Sequence, residues 1–139
     1  VIAVDWGITS FRAWRLAPDG TVLDRMSGPF GIRSVADRDF AGMLERTCGA
    51  WGPAPVLMCG MIGSRQGWVE APYVALPARL AAIVAALPPV PGAARVWIVP
   101  GVSQHPPDVM RSEETQIPGV AATLGQGRPV LCLRGTHSK

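Results

Sequence analysis

The sequence predicts an α/β lobe built on one mixed sheet, three antiparallel strands followed by alternating helices and strands. Two observations carry that expectation. Three short apolar segments open the chain, joined by turns too tight to hold a helix, so they should pair antiparallel. Beyond them, helix-length segments alternate with short, continuous apolar runs, the pattern of strands covered on both faces.

Residues 1–5 (VIAVD) read as a buried strand and residues 11–17 as a second. APDG at 17–20 is a hairpin turn into a third strand, TVLDRMS. Residues 37–51 read as a helix with Asp37 as cap and Phe40, Met43, Leu44 and Thr47 along one face. Pro53 and Pro55 stop it, and PVLMCGM at 55–61 has strand length. An alanine-rich helix is expected over 76–87, ended by Pro88-Pro89. A strand follows over 95–102, a helix over 112–124 and a last strand over 129–135. The order β-β-β-α-β-α-β-α-β is that of a ribonuclease-H-like fold. The last strand begins where this fold is already complete. Residues 1–128 are therefore expected to form one lobe and residues 129–139 to start a second.

Composition narrows the function classes. With 139 residues, 48% of them hydrophobic, and five tryptophans, the chain can bury a real core and should fold. A net charge of +3 is too small to argue for nucleic acid or a membrane surface. All but one of the 13 basic residues are arginines, a bias typical of GC-rich bacterial genomes, and arginine can grip carboxylate or phosphate bidentately. Cys48, Cys59 and Cys132 are odd in number and widely spaced, and read as small core residues rather than a disulfide or zinc framework. VIAV is too short for a signal peptide, and the most apolar stretch, 76–90, is broken by prolines. The expectation is a soluble, cytoplasmic protein.

Four segments carry chemistry. In DWGITSFR (5–12), a glycine turn between two strands leaves backbone N–H groups free to cradle an anion, and Thr9, Ser10 and Arg12 add donors. Asp5 would repel a phosphate there unless a cation such as Mg²⁺ lay between them, held through water. The plainer alternative is a hairpin whose Asp5 caps its own turn. CGMIGSRQGWVEAPY (59–73) follows a buried strand and concentrates Ser64, Arg65, Gln66, Trp68, Glu70 and Tyr73. That mixture suits a polyhydroxylated anion, or else a solvated loop whose rings cover the core. RSEETQIPG (111–119) places Glu113 and Glu114 at a helix start behind Ser112 as N-cap; either acid is favoured there by the helix dipole, or positioned to take a proton from a hydroxyl. GTHSK (135–139) is a second glycine-hydroxyl turn after a strand, with Gly135 and Thr136 as the cradle. His105 and His137 read as loop residues.

The order of these segments resembles the actin-like sugar kinases. DWG-x-x-x-x-RAW, CGMIGSRQGWVEAPY, VMR-x-EETQI and GTHSK closely resemble the 2-dehydro-3-deoxygalactonokinase family over essentially the whole chain. The resemblance implies transfer of the γ-phosphoryl group of ATP to the 6-hydroxyl of 2-dehydro-3-deoxy-D-galactonate, in galactonate breakdown, with Mg²⁺. It implies two ribonuclease-H-like lobes, of which this would be the N-terminal one, the second binding ATP. By position, Asp5, Gly7, Thr9, Ser10 and Arg12 match the first phosphate motif and Gly135 and Thr136 the second. Ser64, Arg65 and Gln66 match the sugar-contacting loop, to which Tyr73 adds a stacking ring. Glu114 falls where these kinases carry the proton-accepting acid, with Glu113 as runner-up. Ile8 departs from the family's hydroxyl residue and Ser112 from its glycine. Pro118 falls inside the EETQ helix, where it deletes an N–H and should kink or end the helix. Without second-lobe donors, residues 1–139 alone should not turn over ATP efficiently. The alternatives are a sugar-acid-binding module without transfer chemistry and a nuclease on the same sheet, which would need several carboxylates converging on two metals.

Overall fold

The computed structural model describes residues 1–121, 123–124 and 130–133. A five-stranded sheet forms from β1 (Ile2–Trp6), β2 (Phe11–Leu16), β3 (Val22–Gly28), β4 (Val56–Cys59) and β6 (Val96–Ile98), in the order β3-β2-β1-β4-β6. β1 pairs antiparallel with β2, as β2 does with β3, whereas β4 runs parallel to both β1 and β6. The mixed sheet read from the sequence is present, with the three antiparallel strands at one side.

Strand alternation divides the side chains of β1 between two faces. Ile2, Val4 and Trp6 are buried on one face, beside Phe11 and Ala13 of β2 and Val56 and Met58 of β4. That face is covered by α1 (Phe40–Cys48), through Phe40, Leu44 and Cys48. Trp6 is fully buried and meets Phe11 edge-on at 4.9 Å and Phe40 at 5.6 Å. Its indole N–H donates to the Phe30 carbonyl at 2.7 Å, so the burial leaves no orphan donor.

Several boundaries differ from the expectation, each for a local reason. The cap of α1 is Asp39, not Asp37. Asp39 precedes the first helical residue and its carboxylate accepts the Gly42 N–H at 2.9 Å, whereas Asp37 lies in a 3₁₀ turn with φ 51°. On the helix the buried position falls to Cys48, while the Thr47 hydroxyl bonds back to the Met43 carbonyl at 2.7 Å. The second helix, α2, is only Leu80–Ala85, because the chain before Pro77 forms β5 (Tyr73–Ala75) and the Leu76 N–H donates to the Ser103 carbonyl at 2.8 Å. The expected strand over 95–102 is two strands. Pro100 has no N–H to continue a ladder, so β6 ends and β7 (Gly101–Gln104) joins a second sheet. That sheet, β5-β7-β8, includes β8 (Asp108–Met110), for which the sequence offered no separate signal.

The third helix, α3 (Glu113–Ala121), runs through Pro118 instead of ending there. Of the last expected strand, residues 130–133 have no regular structure, and residues 129, 134 and 135 lie outside the described residues. Cys48 and Cys59 are buried as expected, but Cys132 is exposed. No helix among the described residues is long and apolar enough to cross a membrane.

Because Phe40 joins α1 to Trp6, Phe40→Ala should remove both ring contacts and leave a cavity beneath the sheet. Urea unfolding should show a loss of about 3–5 kcal/mol; a loss below about 1 kcal/mol would mean that α1 is not held through this contact.

Candidate functional site

The site grows out of strand register. Asp5 lies directly opposite Arg12 on β2 and opposite Cys59 on β4, so the three side chains form one row across the sheet, on the face away from Trp6. The Arg12 guanidinium meets the Asp5 carboxylate at 2.8 Å, with Asp5 only 14% exposed and Arg12 53% exposed. The acid therefore does not cap its own turn. Cys59 is followed by Gly60 at φ +94°, and a Cβ there would stand 2.9 Å from the Trp6 carbonyl oxygen and 3.0 Å from Asp5 Oδ1. Only glycine lets the chain leave β4 this close to the carboxylate. Burial, and secondarily the Asp5 carboxylate, push the Cys59 thiol up to about 12, which makes it an inert neighbour.

The turn after β1 is held from outside. Gly7 N–H donates to the Ser10 carbonyl at 2.9 Å, and the Ile32 and Arg33 N–H groups donate to the Gly7 and Ile8 carbonyls. A Cβ on Gly31 would fall 2.2 Å from the Ile8 carbonyl oxygen, so a glycine is required for this seat. With the carbonyls occupied, the N–H groups of Ile8, Thr9 and Ser10 meet no acceptor among the described residues, and neither do the Thr9 and Ser10 hydroxyls.

The start of α3 arrives over the Asp5 row. Ser112 stands at the N-cap position, with its carbonyl accepting the Thr115 N–H at 3.0 Å, but its hydroxyl does not cap the helix. It donates instead to Asp5 Oδ1 at 3.2 Å, and Cys59 Sγ lies 4.0 Å from it. The reason is the backbone: Ser112 has φ 123°, whereas a capping serine is extended. Glu114 is 5% exposed and turns back on this residue, accepting the Ser112 N–H at 2.7 Å and the Thr115 hydroxyl at 3.3 Å. Burial raises its pKa, against the lowering effect of these hydrogen bonds. Glu113 instead accepts the Arg111 N–H at 3.0 Å. A pocket of about 360 Å³ lies here, lined by Asp5, Arg12, Trp14, Leu57, Ser112 and Gln116 among others.

The loop from 59 to 73 forms a second, separate group. Ser64 is used locally, its hydroxyl donating to the Met61 carbonyl at 2.7 Å. Arg65 and Glu70 pair at 3.6 Å on the surface, 86% and 61% exposed, and Gln66 is exposed. Trp68 stacks on Phe40 at 6.2 Å and belongs to the core. Thus none of Ser64, Arg65 and Gln66 touches the Asp5 or Glu114 carboxylate. Two arginines that the sequence reading gave no role brace the loop. Arg38 donates to the Gln66 and Gly67 carbonyls. Arg111 lies over the Tyr73 ring at 4.3 Å and donates to the Ala71 carbonyl at 2.9 Å, linking the loop to the start of α3. Arg111 stands in the VMR-x-EETQI segment, but its partners depend on β8 docking beside β7 and β5. Gly135 and Thr136 lie outside the described residues. The described residues hold no cluster of three or more His, Cys, Asp or Glu side chains.

Against known proteins, residues 5–139 match the family described as 2-keto-3-deoxy-galactonokinase. The chain is 44% identical over 144 residues to "Probable 2-dehydro-3-deoxygalactonokinase DgoK1" of Rhizobium meliloti (strain 1021), covering 99% of this chain and 47% of that protein. It is 36% identical over 143 residues to the 2-dehydro-3-deoxygalactonokinase of Escherichia coli (strain K12), with the same coverage. A crystal structure of a candidate 2-dehydro-3-deoxygalactonokinase from Sinorhizobium meliloti aligns with a TM-score of 0.88 at 44% identity, over 99% of this chain and 48% of that one. The chain spans about half the length of the curated relatives it matches.

The buried Glu114 carboxyl gives a test by stability. Its folded pKa lies above the ordinary 4.5, so the fold holds the proton more tightly than the unfolded chain does. The stability it contributes is complete below that ordinary value and is lost as pH rises through the folded pKa. Glu114→Gln should therefore have the higher thermal midpoint near about pH 7, with the difference closing towards about pH 4. Parallel midpoints across that range would contradict a buried, ionisable Glu114.

Proposed function

The chain belongs to the 2-keto-3-deoxy-galactonokinase family, and from that premise we propose that its protein transfers the ATP γ-phosphoryl group to the 6-hydroxyl of 2-dehydro-3-deoxy-D-galactonate. Residues 1–128 are then the N-terminal lobe, and residues 129–139 lead into a second lobe that binds ATP. One observation carries the reading: the unpaired N–H groups of the first turn, Asp5 and the buried Glu114 gather where β1 and β4 end. Ligands of α/β sheets sit at the carboxyl ends of parallel strands.

In this reading the N–H groups of Ile8, Thr9 and Ser10, the two hydroxyls and the half-exposed Arg12 hold phosphate oxygens by charge-assisted hydrogen bonds. Gly135 and Thr136, which match the second phosphate motif, would add further donors to the phosphates. A single carboxylate such as Asp5 fits Mg²⁺, which keeps most of its waters and takes the remaining ligands from phosphates. Mg²⁺ bound there would neutralise charge on the transferring group. Arg65, Gln66 and Ser64, with Tyr73, orient the sugar acid; Arg65 and Gln66 are exposed in this lobe, while Ser64 would have to give up its bond to the Met61 carbonyl to take part.

Glu114 takes the proton of the 6-hydroxyl as its oxygen bonds to the γ-phosphorus. The bond from that phosphorus to the β–γ bridging oxygen breaks, and ADP leaves with the electron pair. A carboxyl raised by burial is the better base for this step, since its proton affinity moves towards that of the group it serves. Glu113, engaged by the Arg111 N–H, is the second choice. A nuclease would need several carboxylates around two metals, and no such cluster forms among the described residues.

The test uses the full protein that the gene encodes. Wild type should release ADP from MgATP only when the sugar acid is present. Glu114→Gln should lower kcat by about 10²- to 10⁴-fold while KM for the sugar acid changes little. Unchanged turnover would remove Glu114 from the role. Sugar-acid binding by calorimetry with no ADP formed in wild type would make the protein a binding module instead.

A further inference from the structure

Among the described residues, Ser112 is the one that hydrogen-bonds to both acids of the proposed site. Its hydroxyl donates to Asp5 Oδ1 at 3.2 Å, and its N–H donates to Glu114 Oε2 at 2.7 Å. Its carbonyl takes the Thr115 and Gln116 N–H groups at 3.0 and 3.3 Å, so it also starts α3. All of its polar groups are therefore committed to one arrangement. The backbone pays for that arrangement, because φ 123° is a conformation that a residue with a side chain rarely adopts. An extended serine at the same place would turn its hydroxyl onto the helix N–H groups and release Asp5. A strained residue held at a functional site is a reason to look for its use.

We propose that Ser112 is a positioning residue that fixes the Asp5 carboxylate on β1 relative to the Glu114 carboxylate on α3. It acts through these two groups and touches no reacting atom. The inference rests on the kinase reading for its consequence in catalysis, but the Ser112–Asp5 tie itself does not.

Two substitutions separate the hydroxyl from the backbone. Ser112→Gly keeps the N–H and the carbonyl and relieves the φ, and loses the bond to Asp5 together with the 4.0 Å contact to Cys59 Sγ. Ser112→Ala loses the same bond and keeps the strain. In the full protein encoded by the gene, both should lower kcat by roughly 10- to 100-fold with KM for the sugar acid held within about twofold, as misplacement of reacting groups does. Ser112→Gly should nevertheless melt at or above the wild-type temperature, so that activity and stability move apart. A merely structural serine would move them together. A second measurement needs neither ATP nor Mg²⁺: Ser112→Ala should lower the thermal midpoint in wild type but leave it unchanged in the Asp5→Ala background. Unchanged kcat in Ser112→Gly overturns the positioning role. An equal loss of midpoint with and without Asp5 overturns the tie. If wild type forms no ADP with the sugar acid, the kinase reading fails, and the Asp5 cycle still decides the tie.

Discussion

The register of β1 is the constraint on which the rest of this structure depends. Pairing Asp5 with Arg12 on one side and Cys59 on the other sends one set of side chains to each face of the sheet. Trp6, Val4 and Ile2 go to the face that α1 covers, and Asp5 goes to the face that α3 reaches. A slip of one residue would exchange the two sets, exposing the tryptophan and burying the acid without its arginine. Core and site are thus specified by the same hydrogen-bond ladder.

The site is built by tolerating local costs beside that ladder. Glu114 is a carboxyl kept out of water, Ser112 holds a backbone angle suited to glycine, and Pro118 deletes a donor within α3. Each is unfavourable alone. The first two occur together where the helix start meets the strand end, with Pro118 farther along α3, while the core on the other face of the sheet shows ordinary apolar packing. The 59–73 loop is held differently. Its backbone is pinned by Arg38 and Arg111, and by Trp68 in the core, while Arg65 and Gln66 remain exposed. A fixed backbone with free polar tips is what a loop needs to present donors to a partner outside the lobe.

Much of this was legible in the residues themselves. The tight turns after residues 5 and 17 required antiparallel strands, and the continuous run before Cys59 required a strand covered on both faces. The segments that carry the family resemblance lie along the chain and can be read without the fold. The cap of α1 was misplaced by two residues because Asp37 and Asp39 are chemically equal, and only the path of the backbone before Phe40 chooses between them. The second sheet was missed because β5, β7 and β8 have three or four residues each. Runs that short carry no readable period, and their strand character comes from their partners.

What the sequence determined by itself was the three antiparallel strands at its start, α1, β4 and the residue types available at each turn, since these follow from local propensity and spacing, while its motifs carried the family resemblance. The tertiary structure decided which groups meet. Asp5 and Ser112 are 107 residues apart, and their hydrogen bond exists only because α3 docks on the end of β1. Arg111 and Ala71 are 40 residues apart and meet only because β8 joins β7 and β5. Nothing in a local pattern encodes such distances, because they are set by how packed elements come to rest against one another.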